Sequence, residues 1–199
     1  MKKIRVAAVT GSRADYGLLY WSLRALRDTP GIDLKLVVTG MHLDSACGST
    51  WKAIVRDGFK IDRKVTILQA GDRDVDLAGS MARATGRLAL ALHALRPDVV
   101  LLLGDRFEML AAASACLPLR IPVAHVHGGE STLGLIDDQI RHAVTKLSHL
   151  HFASTRPYAR RIVQMGEEPW RVHVAGAAGV EYIRKLDPVP REELARRLG

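Results

Sequence analysis

The chain has 199 residues, of which 48% are hydrophobic and 25% are charged, a balance typical of a globular protein rather than a disordered or fibrous one. Its net charge of +8 is spread along the chain and only 5% of residues are aromatic, which disfavours nucleic acid as a partner and favours a small anionic ligand. The longest apolar runs, Val99–Leu103 and Leu110–Leu119, fall short of the about 18 residues that a membrane helix needs, so no membrane partner is expected.

Short β-branched apolar runs alternate with longer segments of helical spacing. The predicted strands are Ile4–Val9, Leu34–Thr39, Val65–Leu68, Asp98–Leu103, Pro122–Val126, Leu150–Ala153 and Val172–Ala175. The helical segments between them are Tyr16–Arg27, Ser49–Asp57, Val75–Leu95, Phe107–Leu117, Asp137–Ser148 and Arg156–Met165. This alternation predicts an α/β fold, a Rossmann-like doubly wound parallel sheet with helices on both faces.

The end of the chain has a different pattern. Pro188 and Pro190 interrupt it, and Arg191–Leu198 is typical of one short charged helix. We therefore expect residues 1–176 to form a Rossmann-like domain. Residues 177–199 are expected to be a linker or docking helix directed toward a carboxyl-terminal domain that lies outside this sequence.

Polar loops follow several of the predicted strands. The clearest are Gly11–Gly17 after the first strand, Gly40–Asp44 after the second, Gly104–Glu108 after the fourth and His125–Glu130 at the fifth. Loops that serve only as turns do not require so many Arg, Asp, His and Glu residues. Because ligands bind outside the carboxyl ends of the strands in an open parallel sheet, we predict a site at this edge.

The first loop leads into a helix and carries Arg13 and Asp15. Helix-start amides and an arginine fork both suit phosphate oxygens, so Arg13 is predicted to contact phosphate. The alternatives are an exposed arginine of no special role and an aspartate that caps the helix. The loop matches neither G-x-G-x-x-G nor a Walker A motif, which disfavours a dinucleotide site and a P-loop.

Asp105 and Arg106 directly follow the most apolar predicted strand. One interpretation is that Asp105 only caps the next helix, which stabilises a helix by about 1 kcal/mol. The interpretation that we favour is a carboxylate for proton transfer beside an arginine on a substrate phosphate.

His125 and His127 share one face of the fifth strand if that strand continues through both residues. With Asp105 they could form the metal site of a hydrolase, but a lone His-x-His is common, and we predict no metal. We expect His125 to be a packed core histidine. His127 or Glu130, which follows two glycines, is the better candidate for proton transfer.

Asp137 and Asp138 begin the next helical segment. They either cap that helix and complement its dipole or take part in acid–base chemistry, and the sequence leaves both interpretations open. Arg141 lies three residues after Asp138, a spacing that also allows a plain ion pair.

Five polar segments occur in one order along nearly the whole chain: TGSRADYG at 10–17, VTGMH at 38–42, LGDRFE at 103–108, HVHGGE at 125–130 and DDQIRHAVTKLSHLHF at 137–152. Together they resemble the hydrolysing UDP-N-acetylglucosamine 2-epimerases of sialic-acid and nonulosonic-acid synthesis. The resemblance implies the amino-terminal half of a GT-B-type enzyme with two Rossmann-like domains. It also implies release of UDP from C1 with loss of the C2 proton, then hydration of the glycal with inversion at C2, without cofactor or metal.

The resemblance assigns residues by position. Asp105 and Asp137 match catalytic carboxylates, and Arg13 and Arg106 match contacts to the diphosphate. Many members have Glu where this chain has His127, which leaves open whether His127 or Glu130 does that work. The predicted catalytic residues are Asp105, His127, Glu130 and Asp137, and the predicted substrate-binding residues are Arg13, Asp15, His42, Arg106 and Arg141.

The predicted function is conversion of UDP-N-acetylglucosamine to N-acetylmannosamine and UDP. The alternatives are the same chemistry on a UDP-diacetamido-trideoxyhexose and a non-catalytic module that binds nucleotide sugars. Because the family's second domain supplies most of the uridine pocket, we expect the isolated chain to be weakly active at most. Cys47 and Cys116 form no CxxC pair, and Arg5 interrupts the apolar stretch that a signal peptide would need. Both features predict a cytoplasmic protein. The full-length form is expected to be a homo-oligomer.

Overall fold

The computed structural model of the protein describes residues 3–71, 73–185 and 188–199. Its strands are β1 (Ile4–Thr10), β2 (Ile32–Thr39), β3 (Arg63–Val65), β4 (Val99–Leu103), β5 (Val123–Val126), β6 (Leu150–Ala153) and β7 (Val172–Val174). Its helices are α1 (Arg13–Asp28), α2 (Trp51–Arg56), α3 (Asp74–Leu95), α4 (Phe107–Leu119), α5 (Ile136–Lys146), α6 (Arg156–Gln164), α7 (Ala178–Arg184) and α8 (Arg191–Leu198). Within these ranges, no helix is long and apolar enough to cross a membrane.

The strands form one parallel sheet in the order β3-β2-β1-β4-β5-β6-β7. Alternate residues of β1 enter two separate apolar cores, Val6 and Ala8 on the α1 side and Ala7 and Val9 on the side of α3 and α4. Both faces of the central strands are therefore buried, as the continuous apolar runs predict. The predicted α/β, Rossmann-like doubly wound fold is confirmed.

The sheet changes direction between β1 and β4. From β1 the chain builds outward through β2 and β3, and from β4 it builds the other way through β5, β6 and β7. Such a switch point leaves a crevice at the carboxyl ends of the two central strands, where ligands bind in open α/β sheets. The loops after β1 and β4 are the two that border it.

The third strand is displaced from its predicted position. The apolar run Val65–Leu68 predicts a strand, whereas β3 pairs with β2 through Arg63, Lys64 and Val65. β3 is an edge strand, where exposed basic residues are common. Ile67 lies beyond the ladder yet is fully buried, so after Val65 this apolar run reflects burial of a loop residue and not strand pairing.

The sequence predicted one helix after Gly176, and the described residues of this segment form two. The additional helix, α7, packs against α1, with the ring centroids of Tyr182 and Tyr20 6.3 Å apart. A Cβ atom on Gly179 would lie 3.2 Å from Leu18 of α1, so the glycine permits this close approach. The predicted division at residue 176 thus separates β7 from a helix that contacts the sheet domain.

Candidate active site

Arg106 lies at the switch point between two buried carboxylates. Its Nη2 donates to Glu108 Oε1 at 3.1 Å, and its Nε lies 4.0 Å from Asp15 Oδ2. Burial raises the pKa of both carboxyls, Asp15 and Glu108, while Arg106 acts in the opposite direction. One guanidinium therefore serves two acids in a poorly solvated environment, and the side chain remains about a third exposed (32%).

Glu108 is a member of this cluster that the sequence analysis did not assign to the site. Its side chain is fully buried, and glycines make room for it. A Cβ on Gly40 would lie 2.5 Å from Glu108 Oε1, and one on Gly11 would lie 3.0 Å away. A glycine directly after each of β1 and β2 was the signal that a side chain, here from the first turn of α4, packs against both positions.

The loop after β1 is closed by reciprocal capping. Ser12 is the N-cap residue of α1, and its Oγ accepts from the backbone N–H of Asp15 at 3.3 Å. Asp15 Oδ2 in turn accepts from the N–H of Gly11 at 3.2 Å. Asp15 thus holds the loop, and its contact with substrate stays a prediction. Arg13 is the first residue of α1 and is exposed. The helix dipole favours anions at this end of the helix.

His42 is fully buried and faces the protein interior. Its Nε2 is hydrogen-bonded to Thr10 Oγ1 at 3.0 Å, and its Nδ1 to Thr50 Oγ1 at 2.7 Å. Burial lowers the pKa of His42 to about 4, so the ring is neutral at pH 7. The predicted direct contact with substrate is not available in this arrangement, because both nitrogens already join the loops after β1 and β2.

Asp105 is bound by Arg141, which reaches it from α5. Arg141 Nη2 is hydrogen-bonded to Asp105 Oδ2, and its Nη1 donates to Thr132 Oγ1 at 3.0 Å. Desolvation raises the pKa of Asp105 and nearby Asp137 adds to the increase, whereas Arg141 lowers it. The N-cap position of α4 belongs to Arg106, so the alternative that Asp105 only caps this helix is wrong.

The suggested ion pair between Asp138 and Arg141 is wrong as well. Asp138 Oδ1 accepts from the backbone N–H of Thr132 at 2.7 Å and from Ser131 Oγ at 3.1 Å. Its carboxylate holds the loop that leads into α5, which leaves Arg141 free for Asp105. The N-cap residue of α5 is Leu135, so neither aspartate caps the helix. Asp137, in the first turn, is half-buried.

His125 and His127 do not share a strand face, because β5 ends at Val126 and His127 has a left-handed backbone with φ 64°. His125 is fully buried, with Nε2 2.7 Å from Gly104 O and Nδ1 3.2 Å from Thr145 Oγ1. Burial lowers the pKa of His125 to about 4. The prediction of a packed core histidine is confirmed.

The hydrogen bonds of His125 also argue against the alternative of a metal-dependent hydrolase. Both ring nitrogens of His125 are engaged inside the core, so the proposed set of His125, His127 and Asp105 does not converge on one point. Among the residues that the structure describes, no three His, Cys, Asp or Glu side chains are placed to hold a metal ion. The side chains of His125, His127 and Asp105 are therefore not arranged as a hydrolytic metal centre.

His127, Glu130 and Ser154 form a polar group beyond β5 and β6. Ser154 Oγ donates to Glu130 Oε1 at 2.6 Å, and His127 Nδ1 lies 3.4 Å from the same oxygen. Gly128 and Gly129 between them are required by packing. A Cβ on Gly128 would lie 2.9 Å from His125 Nδ1, and one on Gly129 2.5 Å from the carbonyl oxygen of Tyr158. Ser154 was not among the predicted residues.

The family model described as UDP-N-acetylglucosamine 2-epimerase matches residues 24–198. The chain belongs to this family. It is 39% identical to the GDP/UDP-N,N'-diacetylbacillosamine 2-epimerase (hydrolyzing) of Campylobacter jejuni, over 100% of this chain and 51% of that protein. It is 43% identical to the UDP-N,N'-diacetylbacillosamine 2-epimerase (hydrolyzing) of Legionella pneumophila, over 98% of this chain and 52% of that protein.

Solved structures agree on the fold. A crystal structure of a UDP-N-acetylglucosamine 2-epimerase superposes with a TM-score of 0.85 at 22% identity, covering 98% of this chain and 54% of that one. The chain thus spans about half the length of the relatives it matches. The resemblance drawn from the five segments is confirmed, and the fold is that of one half of a GT-B-type enzyme.

Proposed function

We propose that this chain forms the amino-terminal side of the catalytic cleft of a hydrolysing 2-epimerase for a UDP-activated 2-acetamido sugar. The observation that carries the proposal is the Asp105–Arg141 pair beside Arg106 at the switch point of the sheet. A carboxylate held by one arginine, next to a second and partly exposed arginine, is suited to proton transfer at a sugar carbon that is adjacent to a diphosphate.

The reaction asks for few groups. A base takes the C2 proton, the C2–H electron pair forms the C1–C2 double bond, and UDP leaves with the electrons of the C1–O bond. Water then adds its hydroxyl to C1, and a proton returns to C2 on the opposite face. These steps need acid–base groups near C2 and cations at the leaving diphosphate.

We assign these roles to residues at the carboxyl edge. Asp105, whose pKa is raised by desolvation, is assigned one of the two proton transfers at C2. Asp137 is the second carboxylate, close enough to raise the pKa of Asp105. Arg106 and Arg13 bind the diphosphate, and Arg141 acts through Asp105 by fixing its orientation.

For the sugar, we propose UDP-N,N'-diacetylbacillosamine ahead of UDP-N-acetylglucosamine, which the sequence analysis placed first. The two relatives at 39% and 43% identity carry the diacetylbacillosamine name. The relative of Neisseria meningitidis that is named UDP-N-acetylglucosamine 2-epimerase is 33% identical to this chain. Both sugars share the 2-acetamido group and the diphosphate, which are the parts that the assigned residues serve.

Proton NMR of the chain with each UDP sugar in deuterated water tests the proposal. We expect broadened uridine and sugar signals, stronger for the diacetamido sugar, and slow or no turnover. Any product should be free UDP with a sugar deuterated at C2. Arg13→Ala should weaken binding about tenfold, whereas Arg160→Ala, an exposed arginine of α6, should not change it.

Two results would contradict the proposal. The first is the absence of broadening by either sugar at millimolar concentration in the folded wild-type chain. The second is broadening that survives unchanged in both Arg13→Ala and Arg106→Lys, because the diphosphate would then lie away from this edge of the sheet.

A further inference from the structure

The two ring nitrogens of His127 have different partners. Nε2 accepts a hydrogen bond from the backbone N–H of Ala178, at 3.2 Å. A nitrogen that accepts has its lone pair free of a proton, so in the neutral ring the proton is on Nδ1. Nδ1 lies 3.4 Å from Glu130 Oε1, which is an acceptor. The contacts on the two sides of the ring therefore select the same tautomer.

Glu130 is itself held in place. Ser154, directly after β6, donates its hydroxyl proton to Glu130 Oε1 at 2.6 Å. The side chains of His127 and Glu130 are 14% and 22% exposed, so water competes weakly for these contacts. Glu130, fixed by the serine, thus lies on the Nδ1 side of the imidazole, and the Ala178 N–H lies on the Nε2 side.

The backbone around His127 is fixed by its surroundings. Its φ of 64° is a conformation that residues other than glycine adopt rarely. Gly129, with φ 75°, lies against the carbonyl of Tyr158, and its own carbonyl accepts from Arg161 Nη1. Helix α6 therefore packs against the loop that contains His127, and these contacts hold the imidazole of His127 in one orientation.

We propose that Glu130 and Ser154 are positioning residues that hold His127 as the Nδ1–H tautomer and direct the Nε2 lone pair to the edge of the site, where the first amide of α7 covers it. Glu130, which the sequence analysis placed among the catalytic residues, then acts only through His127. A proton reaches Nε2 once Ala178 moves away from it. The tautomer and the covering contact do not depend on the proposed function, whereas the use of Nε2 on substrate does.

Long-range proton–nitrogen NMR of the chain identifies the tautomer directly. His127→Asn assigns the His127 signals among the eight histidines, and Asn tolerates the left-handed backbone. We expect a protonated Nδ1 and an unprotonated Nε2 in the neutral ring. Glu130→Ala and Ser154→Ala should each give a mixture of tautomers. Ser131→Ala, a matched control whose hydroxyl binds Asp138 instead, should leave the signals unchanged. A wild-type ring protonated mainly on Nε2 would overturn the proposal.

The covering contact has a separate test in Ala178→Pro, which removes the donor. Proline is well tolerated at the first position of a helix, and Ala177 has the extended backbone (ψ 122°) that precedes proline. The His127 Nε2 signal should move in Ala178→Pro and stay in Ala178→Gly, which keeps the N–H. Independently of that variant's folding, the Ala178 amide should exchange faster with solvent in His127→Asn than in the wild-type chain. Equal exchange rates would refute the contact, and neither measurement involves a UDP sugar.

Discussion

Glu108, in the polar cluster at the switch point, offers a test of whether burial or its arginine partner has the larger effect on the pKa of a carboxyl. The carboxyl is fully buried, and burial raises its pKa above the ordinary value of 4.5 despite the contact with Arg106. The folded state thus favours the protonated form. The glutamine side chain of Glu108→Gln has the shape of the protonated carboxyl and, like it, carries no charge. The variant and the wild-type chain should therefore be equally stable at low pH.

The direction of the effect follows from proton linkage. For a group with a raised pKa in the folded state, the favourable contribution is complete below the unfolded pKa and is lost as pH rises through the folded pKa. Glu108→Gln should therefore become more stable than wild type above pH 4.5, by about 1.4 kcal/mol for each unit of pKa difference. Glu108→Ala should instead cost about 3 to 5 kcal/mol, because it leaves Arg106 with a missing partner and opens a cavity.

Urea unfolding followed by circular dichroism at pH 4.5 and pH 7.5 measures both differences. If Glu108→Gln is less stable than wild type and the deficit grows toward pH 7.5, the ionised Glu108–Arg106 pair stabilises the fold. That result would refute the argument that burial dominates the pKa of Glu108.

Three further predictions use the same unfolding assay. Arg141→Lys should destabilise the chain by about 2 to 4 kcal/mol, because lysine cannot reproduce the fork that joins Asp105 to Thr132; a loss under 0.5 kcal/mol would contradict this. His42, with a pKa of about 4, contributes stability above pH 6.5 that is lost as pH falls toward 4, by up to about 3 kcal/mol. His42→Asn should flatten this part of the stability curve, and an unchanged slope would argue against the buried neutral ring. Gly40→Ala should cost more than about 2 kcal/mol through a clash and a positive φ of 57°. Gly17→Ala, with open space at its Cβ, should be neutral or stabilising, and equal losses in the two variants would refute the close packing at Gly40.

Much of the architecture is encoded locally. The runs that became β1, β4 and β5 are apolar on both faces, and hydrophobic periodicity reports burial directly. Polar residues at the strand ends placed the site at the carboxyl edge, because parallel strands bring those ends together. The order and spacing of five motifs were enough to indicate the family.

The partners of the polar side chains were decided only by the tertiary structure. Local spacing allowed an ion pair of Arg141 with Asp138, yet Arg141 binds Asp105, 36 residues away. His127 binds the amide of Ala178, 51 residues away, on a helix that the sequence did not predict. Periodicity indicates which face of an element is buried but carries no information about which distant loop lies opposite. That pairing depends on strand order and on the close approach that residues such as Gly40 allow, and both exist only once the sheet has formed.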